Sequence, residues 1–181
     1  MGWYGSPEIR SDEPTAGALT SLADMAAGES DTPGDTHWDI RVAPTRGLDP
    51  ETLYGVLRLR VDVFVVEQEC AYAELDGRDL EPGALLVWAA DGDTVAATLR
   101  VLIDPDGRAR IGRVATSARH RGSGLAAALM RAAITEAGGR AIVLDAQAHL
   151  QAWYERFGFV AVGELYVEDG IPHVPMCREG G

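Results

Sequence analysis

Apolar and polar residues alternate along Trp38-Asp39-Ile40-Arg41-Val42, the period-two pattern of a strand with one buried face. Asp49-Pro50-Glu51 then supplies an N-cap, a proline suited to the first helical position and an acidic first turn. Leu53, Leu57, Val61 and Phe64 follow at helical spacing, so an amphipathic helix is predicted with these residues inward. The stretch Tyr72 to Pro82 is polar and acidic. It reads as a solvated loop whose Glu74, Asp76 and Asp79, with Glu69 just before, would attract a cationic acceptor. Three strands come next, Ala84 to Ala90, Val95 to Ile103 and Arg110 to Thr116. The turn-forming Asp91-Gly92-Asp93 and Asp104-Pro105-Asp106-Gly107 separate them, giving an antiparallel meander.

A second helix is predicted from Gly122 to Ala137, with Leu125, Leu129 and Ala133 on one face and Gly138-Gly139 ending it. Ala141 to Asp145 is a short apolar strand, Leu150 to Phe157 a helix stopped by Gly158, and Phe159 to Val167 and His173 to Met176 are two closing strands. This order makes an α+β fold with a mixed, mostly antiparallel sheet. It turns parallel where a helix crosses from the third meander strand to Ala141–Asp145. Before residue 37 the chain is rich in Gly, Pro, Ser, Thr and Asp. Met1 to Thr36 is therefore expected to be a poorly ordered extension and residues 37–181 one domain.

Charge narrows the function. The formal net charge is −12 and none of the 16 basic residues is lysine, which removes lysine catalysis and argues against nucleic-acid binding. Cys70 and Cys177 stand far apart, so neither a disulfide framework nor a zinc site is expected, and no metal is assigned. No apolar run is long enough to span a membrane, and the N-terminus lacks the pattern of a secretory signal. A cytoplasmic location without membrane partners is expected.

The chemistry concentrates in Arg110 to Ala127. A strand leads into a turn with two glycines, and the turn opens a helix. Gly122 and Gly124 allow backbone N–H groups to approach an anion, the helix N-terminus adds partial positive charge, and Arg119 and Arg121 flank the turn. Such a turn suits a pyrophosphate. A nucleoside-triphosphatase loop would need the Gly-Lys-Ser/Thr ending that is missing here. Gly122-Ser-Gly124-Leu-Ala-Ala127 also fits G-x-G-x-x-A, with Asp145 at a later strand end. A dinucleotide turn, however, follows its strand directly, and too little chain remains after Asp145 for a doubly wound domain.

Arg119-His-Arg-Gly122-Ser-Gly124 resembles the [QR]-x-x-G-x-[GA] signature of the GNAT acetyltransferase superfamily, and Tyr154-Glu-Arg-Phe-Gly158-Phe159 is similar to its Y-x-x-x-G-F element. The words Phe64-Val-Val-Glu67-Gln68, Gly112-Arg113-Val114, Ala146 to Gln151 and Asp169-Gly-Ile-Pro172-His173 resemble the ElaA-like branch. Where many members carry Asn and Ala, seven and four residues before the tyrosine, this chain has Gln147 and Leu150.

The resemblance implies direct attack of an amine on the thioester of acetyl-CoA. The pantetheine arm would run along Arg113, Val114, Ala115 and Thr116, with the Val114 N–H facing the thioester oxygen and Gln147 bonding a pantetheine amide. The pyrophosphate would sit on Arg121, Gly122, Ser123, Gly124, Leu125 and Ala126, with Arg119 nearby. Tyr154 is the acid for the leaving thiolate, since a hydroxyl with pKa about 10 suits a thiolate whose acid is about 8.5. Glu67, His149 and His173 are the candidate bases. The acceptor is a small-molecule or peptide amine, and a homodimer is compatible with such a domain. A different class, an acyl-CoA-binding regulatory module with little turnover, would keep the clamp without needing Tyr154.

Overall fold

A computed structural model describes residues 38–181, Ala71 apart. The extension read at Met1 to Thr36 lies outside them. Eight strands form one sheet: β1 (Ile40–Pro44), β2 (Leu85–Asp91), β3 (Thr94–Ile103), β4 (Ala109–Thr116), β5 (Ile142–Gln147), β6 (Val160–Ala161), β7 (Tyr166–Glu168) and β8 (Ile171–Arg178). Their order is β1-β2-β3-β4-β5-β8-β6, with β7 also on β8. All pairings are antiparallel except β4–β5. The helices are α1 (Pro50–Arg60), α2 (Leu125–Glu136) and α3 (Gln151–Glu155).

Strand alternation sends two sets of side chains to two cores. Val87, Ala89, Leu99 and Val101 join Leu125, Leu129, Met130 and Ala133 of α2 in one. Leu86, Trp88, Val95 and Ala115 join Val56 and Leu59 of α1, and Val63 just beyond it, in the other. Each of the buried Val, Leu and Met side chains among them contributes roughly 1.5–3 kcal/mol relative to exposure.

Three expectations change. The Asp49 side chain caps α1 by accepting from the Thr52 N–H at 2.8 Å, but the helix buries Val56, Leu59 and Val63. Leu53, Leu57, Val61 and Phe64 are only partly covered. The helix also continues past Arg60 as a π-helical turn, Val61–Glu67, closed by Gln68 N–H donating to the Val63 carbonyl. Second, α2 begins at Leu125, because Gly122 and Gly124 have φ of +71° and +79° and belong to the turn. Third, the strand expected over Phe159–Val167 divides into β6 and β7. Pro175, opposite the gap, has no N–H to give the ladder, and only its carbonyl is used, by the Val162 N–H at 2.9 Å.

The loop at residues 72–82 is not simply solvated. Arg60 is fully buried and pairs with Glu74 and, at 2.7 Å, with Asp79; both carboxylates are buried. Arg100 holds Asp76 with two bonds of 2.8 Å. A buried cation needs such partners, and α1 and β3 supply the cations that meet Glu74, Asp76 and Asp79. The Arg100 guanidinium holds the Asp76 carboxyl at about 2. Burial pushes Asp79 upward, yet Arg60 and Arg100 together bring it below the usual range.

Candidate active site

Strands β4 and β5 pair only at Ala109 with Ile142 and Arg110 with Val143, then part. β4 also carries a bulge. Arg113 and Val114 both stand opposite Leu99, and Arg113 has φ +55°, a left-handed conformation uncommon for a residue with a side chain. A cleft of about 780 Å³ opens at this splay. Gly112, Val114, Leu144, Gln147, Tyr154 and His173 are among its lining residues.

Beyond the end of β4 the chain makes a tight 3₁₀ turn, Ala118–His120, and then the glycine turn. His120 organises it. Its Nε2 donates to the Asp91 carboxylate at 3.1 Å, and Nδ1 meets the Ser117 hydroxyl at 2.6 Å. The Ser123 hydroxyl donates to the His120 carbonyl at 2.6 Å. Arg121 is pinned from two sides, by the Thr116 carbonyl at 3.2 Å and by the Glu67 carboxylate at 2.7 Å. Thr116, Arg121, Gly122, Gly124, Leu125 and Ala126 border a small hollow at the start of α2. The Thr116 hydroxyl there is buried and has no hydrogen-bond partner in the protein. An orphaned hydroxyl, a helix start and a glycine turn fit an anionic group.

Two adjacent residues at the end of the π-helical turn reach both lips of the splay. Glu67 bonds Arg121, on the β4 side. Gln68 accepts from Gln147 at 3.4 Å, at the end of β5.

Comparison with known proteins identifies the architecture. A model of the acetyltransferase (GNAT) domain matches residues 55–179. The chain belongs to the GNAT family. A UPF0039 protein of Mycobacterium tuberculosis is 46% identical over 146 residues, 78% of this chain and 93% of that protein. Protein ElaA of Escherichia coli is 40% identical over 138 residues, 73% of this chain and 90% of ElaA. The ElaA crystal structure superposes with a TM-score of 0.75, covering 78% of this chain and 99% of the other at 36% identity. An acyl-CoA N-acyltransferase from Pseudomonas aeruginosa gives a TM-score of 0.74 at 44% identity, with 78% and 99% covered. The chain is thus an ElaA-like GNAT protein with the mixed sheet and β4–β5 splay of that fold.

Within this GNAT domain the sequence-derived residues separate into groups. Tyr154 lies in the cleft wall, 7% exposed, edge-on to Trp153 and Phe159. Desolvation alone lifts its pKa well above the ordinary tyrosine value, so the hydroxyl keeps its proton and is a hydrogen-bond donor. That burial makes it a weaker acid than the ordinary value suggests. His173 lines the cleft, stacked on Tyr166. Its Nδ1 lies 2.9 Å from the Ile171 carbonyl, which can only accept. Nδ1 therefore donates to that carbonyl, so Nε2 is the nitrogen left to act as an acceptor. His149 is exposed as a whole residue and is not among those lining the cleft; the partial burial of its ring, and then nearby His173, lower its pKa. Glu67 is occupied by Arg121.

The side chain of Arg113 turns to the acidic loop. It pairs with Glu74 at 2.7 Å and Asp76 at 3.2 Å and lies over the Tyr72 ring. Arg113 nonetheless lines the cleft, together with Tyr72 and Asp76. Arg119 is exposed beside the turn, and Ser123 has its hydroxyl proton committed to His120. Sequence reasoning missed His120, Asp91 and Gln68. The Ser-x-x-His spacing at a helix-opening turn is the local signal that would have found His120.

Proposed function

We propose that this protein is an acetyl-CoA-dependent N-acetyltransferase acting on an amine in a ternary complex. The observation that carries the reading is the buried Tyr154 hydroxyl in the wall of a cleft that opens where β4 and β5 part. The glycine turn would hold the donor's phosphates through the N–H groups at the start of α2, with the Thr116 hydroxyl as an added contact. Val114, released from regular pairing by the bulge, would offer its N–H to the thioester oxygen.

The amine nitrogen attacks the thioester carbon, the C–S bond breaks, and the electron pair leaves on sulfur. His173 Nε2 accepts the amine proton, directly or through water. Tyr154 donates a hydrogen bond to the departing sulfur. With its pKa raised, it stabilises the thiolate more than it protonates it. Glu67, tied to Arg121, serves the donor cradle in this scheme rather than the proton.

Tyr154→Phe tests the reading, because it keeps the ring and removes only the hydroxyl. Turnover with an accepted amine is expected to fall by about 10²–10⁴-fold while CoA affinity stays within a factor of two. The loss should shrink with an activated thioester, whose thiolate needs less help. Unchanged turnover at neutral pH, with chemistry rate-limiting, would remove Tyr154 from the mechanism.

A further inference from the structure

Gln68 and Gln147 meet at the cleft, and only one bond joins them, Gln147 Nε2–H to Gln68 Oε1 at 3.4 Å. Gln68 Nε2 and Gln147 Oε1 remain buried without any partner. Two primary amides sharing one bond leave one donor face and one acceptor face over, and rotating both groups merely exchanges the residues that carry them. Buried polar groups in native proteins are normally satisfied, so a donor and an acceptor left together in a cleft wall point to a ligand that brings the complement. The complement is a chain that carries amides, with a C=O to accept and an N–H to donate.

We propose that Gln68 and Gln147 form a paired clamp for an amide-bearing chain lying in the β4–β5 splay, with Gln68 as a binding residue of equal standing to Gln147. The proposal rests on the acetyltransferase reading of the same cleft. Two sources share this chemistry: the pantetheine arm of the donor, which has two amides, and the backbone of a peptide acceptor. The position of Gln147 at the end of β5, beside the opened splay, suits either.

The test compares wild type with Gln68→Met, Gln147→Met and the double variant, since methionine keeps the length and removes the amide. Titration calorimetry measures CoA and, separately, adenosine 3′,5′-bisphosphate, which lacks the pantetheine arm. Steady-state transfer is measured with dipeptides and with a simple alkylamine.

If the clamp holds pantetheine, each single variant weakens CoA by about tenfold, and adenosine bisphosphate binding does not change. The double variant then loses less than the product of the singles, because the two groups serve one chain. If the clamp holds a peptide acceptor, CoA affinity is unchanged, KM for dipeptides rises about tenfold and the alkylamine is unaffected. In both cases the double variant melts no lower than wild type, since it removes both orphaned atoms together with the bond between them.

Wild-type affinities for CoA and dipeptides in all variants would overturn the clamp. So would a lower melting temperature with ligand affinities unchanged, which would make the pair purely structural. Failure of wild type to bind either CoA or adenosine bisphosphate would instead overturn the reading of the cleft, and the clamp with it.

Discussion

The glycine turn at residues 117–124 and the acidic loop at residues 72–82 are both polar, charged connections bordering the same splay, yet they are held in opposite ways. Within the turn, contacts are mostly local: Ser117 with His120, Ser123 with the His120 carbonyl, Arg121 with the Thr116 carbonyl. The loop depends on distant cations, with Arg60 fourteen positions from Glu74, Arg100 twenty-four from Asp76 and Arg113 thirty-seven from Asp76. A turn built locally can keep its shape through perturbation elsewhere. A loop built from remote charges ties α1, β3 and the β4 bulge together, and its failure is felt across the domain.

Arg60→Met should break the comparison most strongly. It leaves Glu74 with only Arg113 and Asp79 with only Arg100. Removing one side of a buried ionic network typically costs about 3–5 kcal/mol, read here as a lowered urea midpoint at constant slope. CoA affinity of the remaining folded protein should hardly change, because the turn makes no contact with Arg60. A stability loss under 1 kcal/mol would show that the network is not worth what its burial implies.

Gly124→Asp is the converse case. Gly124 has φ +79°, where Asp is among the better-tolerated replacements, so the stability cost should stay near about 1 kcal/mol. A carboxylate at the mouth of the hollow should nonetheless lower CoA affinity by tenfold or more, measured by calorimetry. Retained affinity would place the phosphates elsewhere.

Acid sharpens the contrast with the smallest effect. The folded pKa values of Asp76 and Asp79 lie below the unfolded value of about 3.9. Their contribution to stability is therefore complete above about pH 4 and is lost as pH falls through the folded values, about 2 for Asp76. Urea midpoints should drop between about pH 4 and pH 2, and the drop should shrink in Arg60→Met. A midpoint flat across that range would contradict the assignment.

The same contrast explains what could be read in advance. The turn was legible because glycines, flanking arginines and a following apolar period all sit within a few residues, and local geometry dictates the rest. The meander and the β4–β5 crossover were legible for the same reason, since Asp-Gly turns and a helix between strands leave few topologies. Glu74 and Asp79 looked solvated because nothing in residues 72–82 announces that Arg60, on a helix face, is fully buried. Along α1 two apolar series stand at helical spacing, Leu53-Leu57-Val61-Phe64 and Val56-Leu59-Val63, and spacing alone does not choose which faces the sheet. Phe159 to Val167 reads as one continuous strand because the interruption originates across the ladder, at Pro175. In the site, Tyr154 could be found from its own neighbourhood, whereas the tie between Glu67 and Arg121 spans fifty-four positions and has no local trace.

The π-helical turn at Val61–Glu67 has a consequence for how tolerant this segment is to length change. A widened turn takes in one more residue than regular winding, so everything after it is rotated relative to the face set by Val56 and Leu59. That rotational offset is what lets two consecutive residues address opposite lips, Glu67 toward Arg121 and Gln68 toward Gln147. The segment thus behaves like a gear with one surplus tooth. Losing a residue there would keep the helix and its hydrophobic face while turning both side chains away from their strands, so spacing, more than side-chain identity, is the quantity this stretch must preserve.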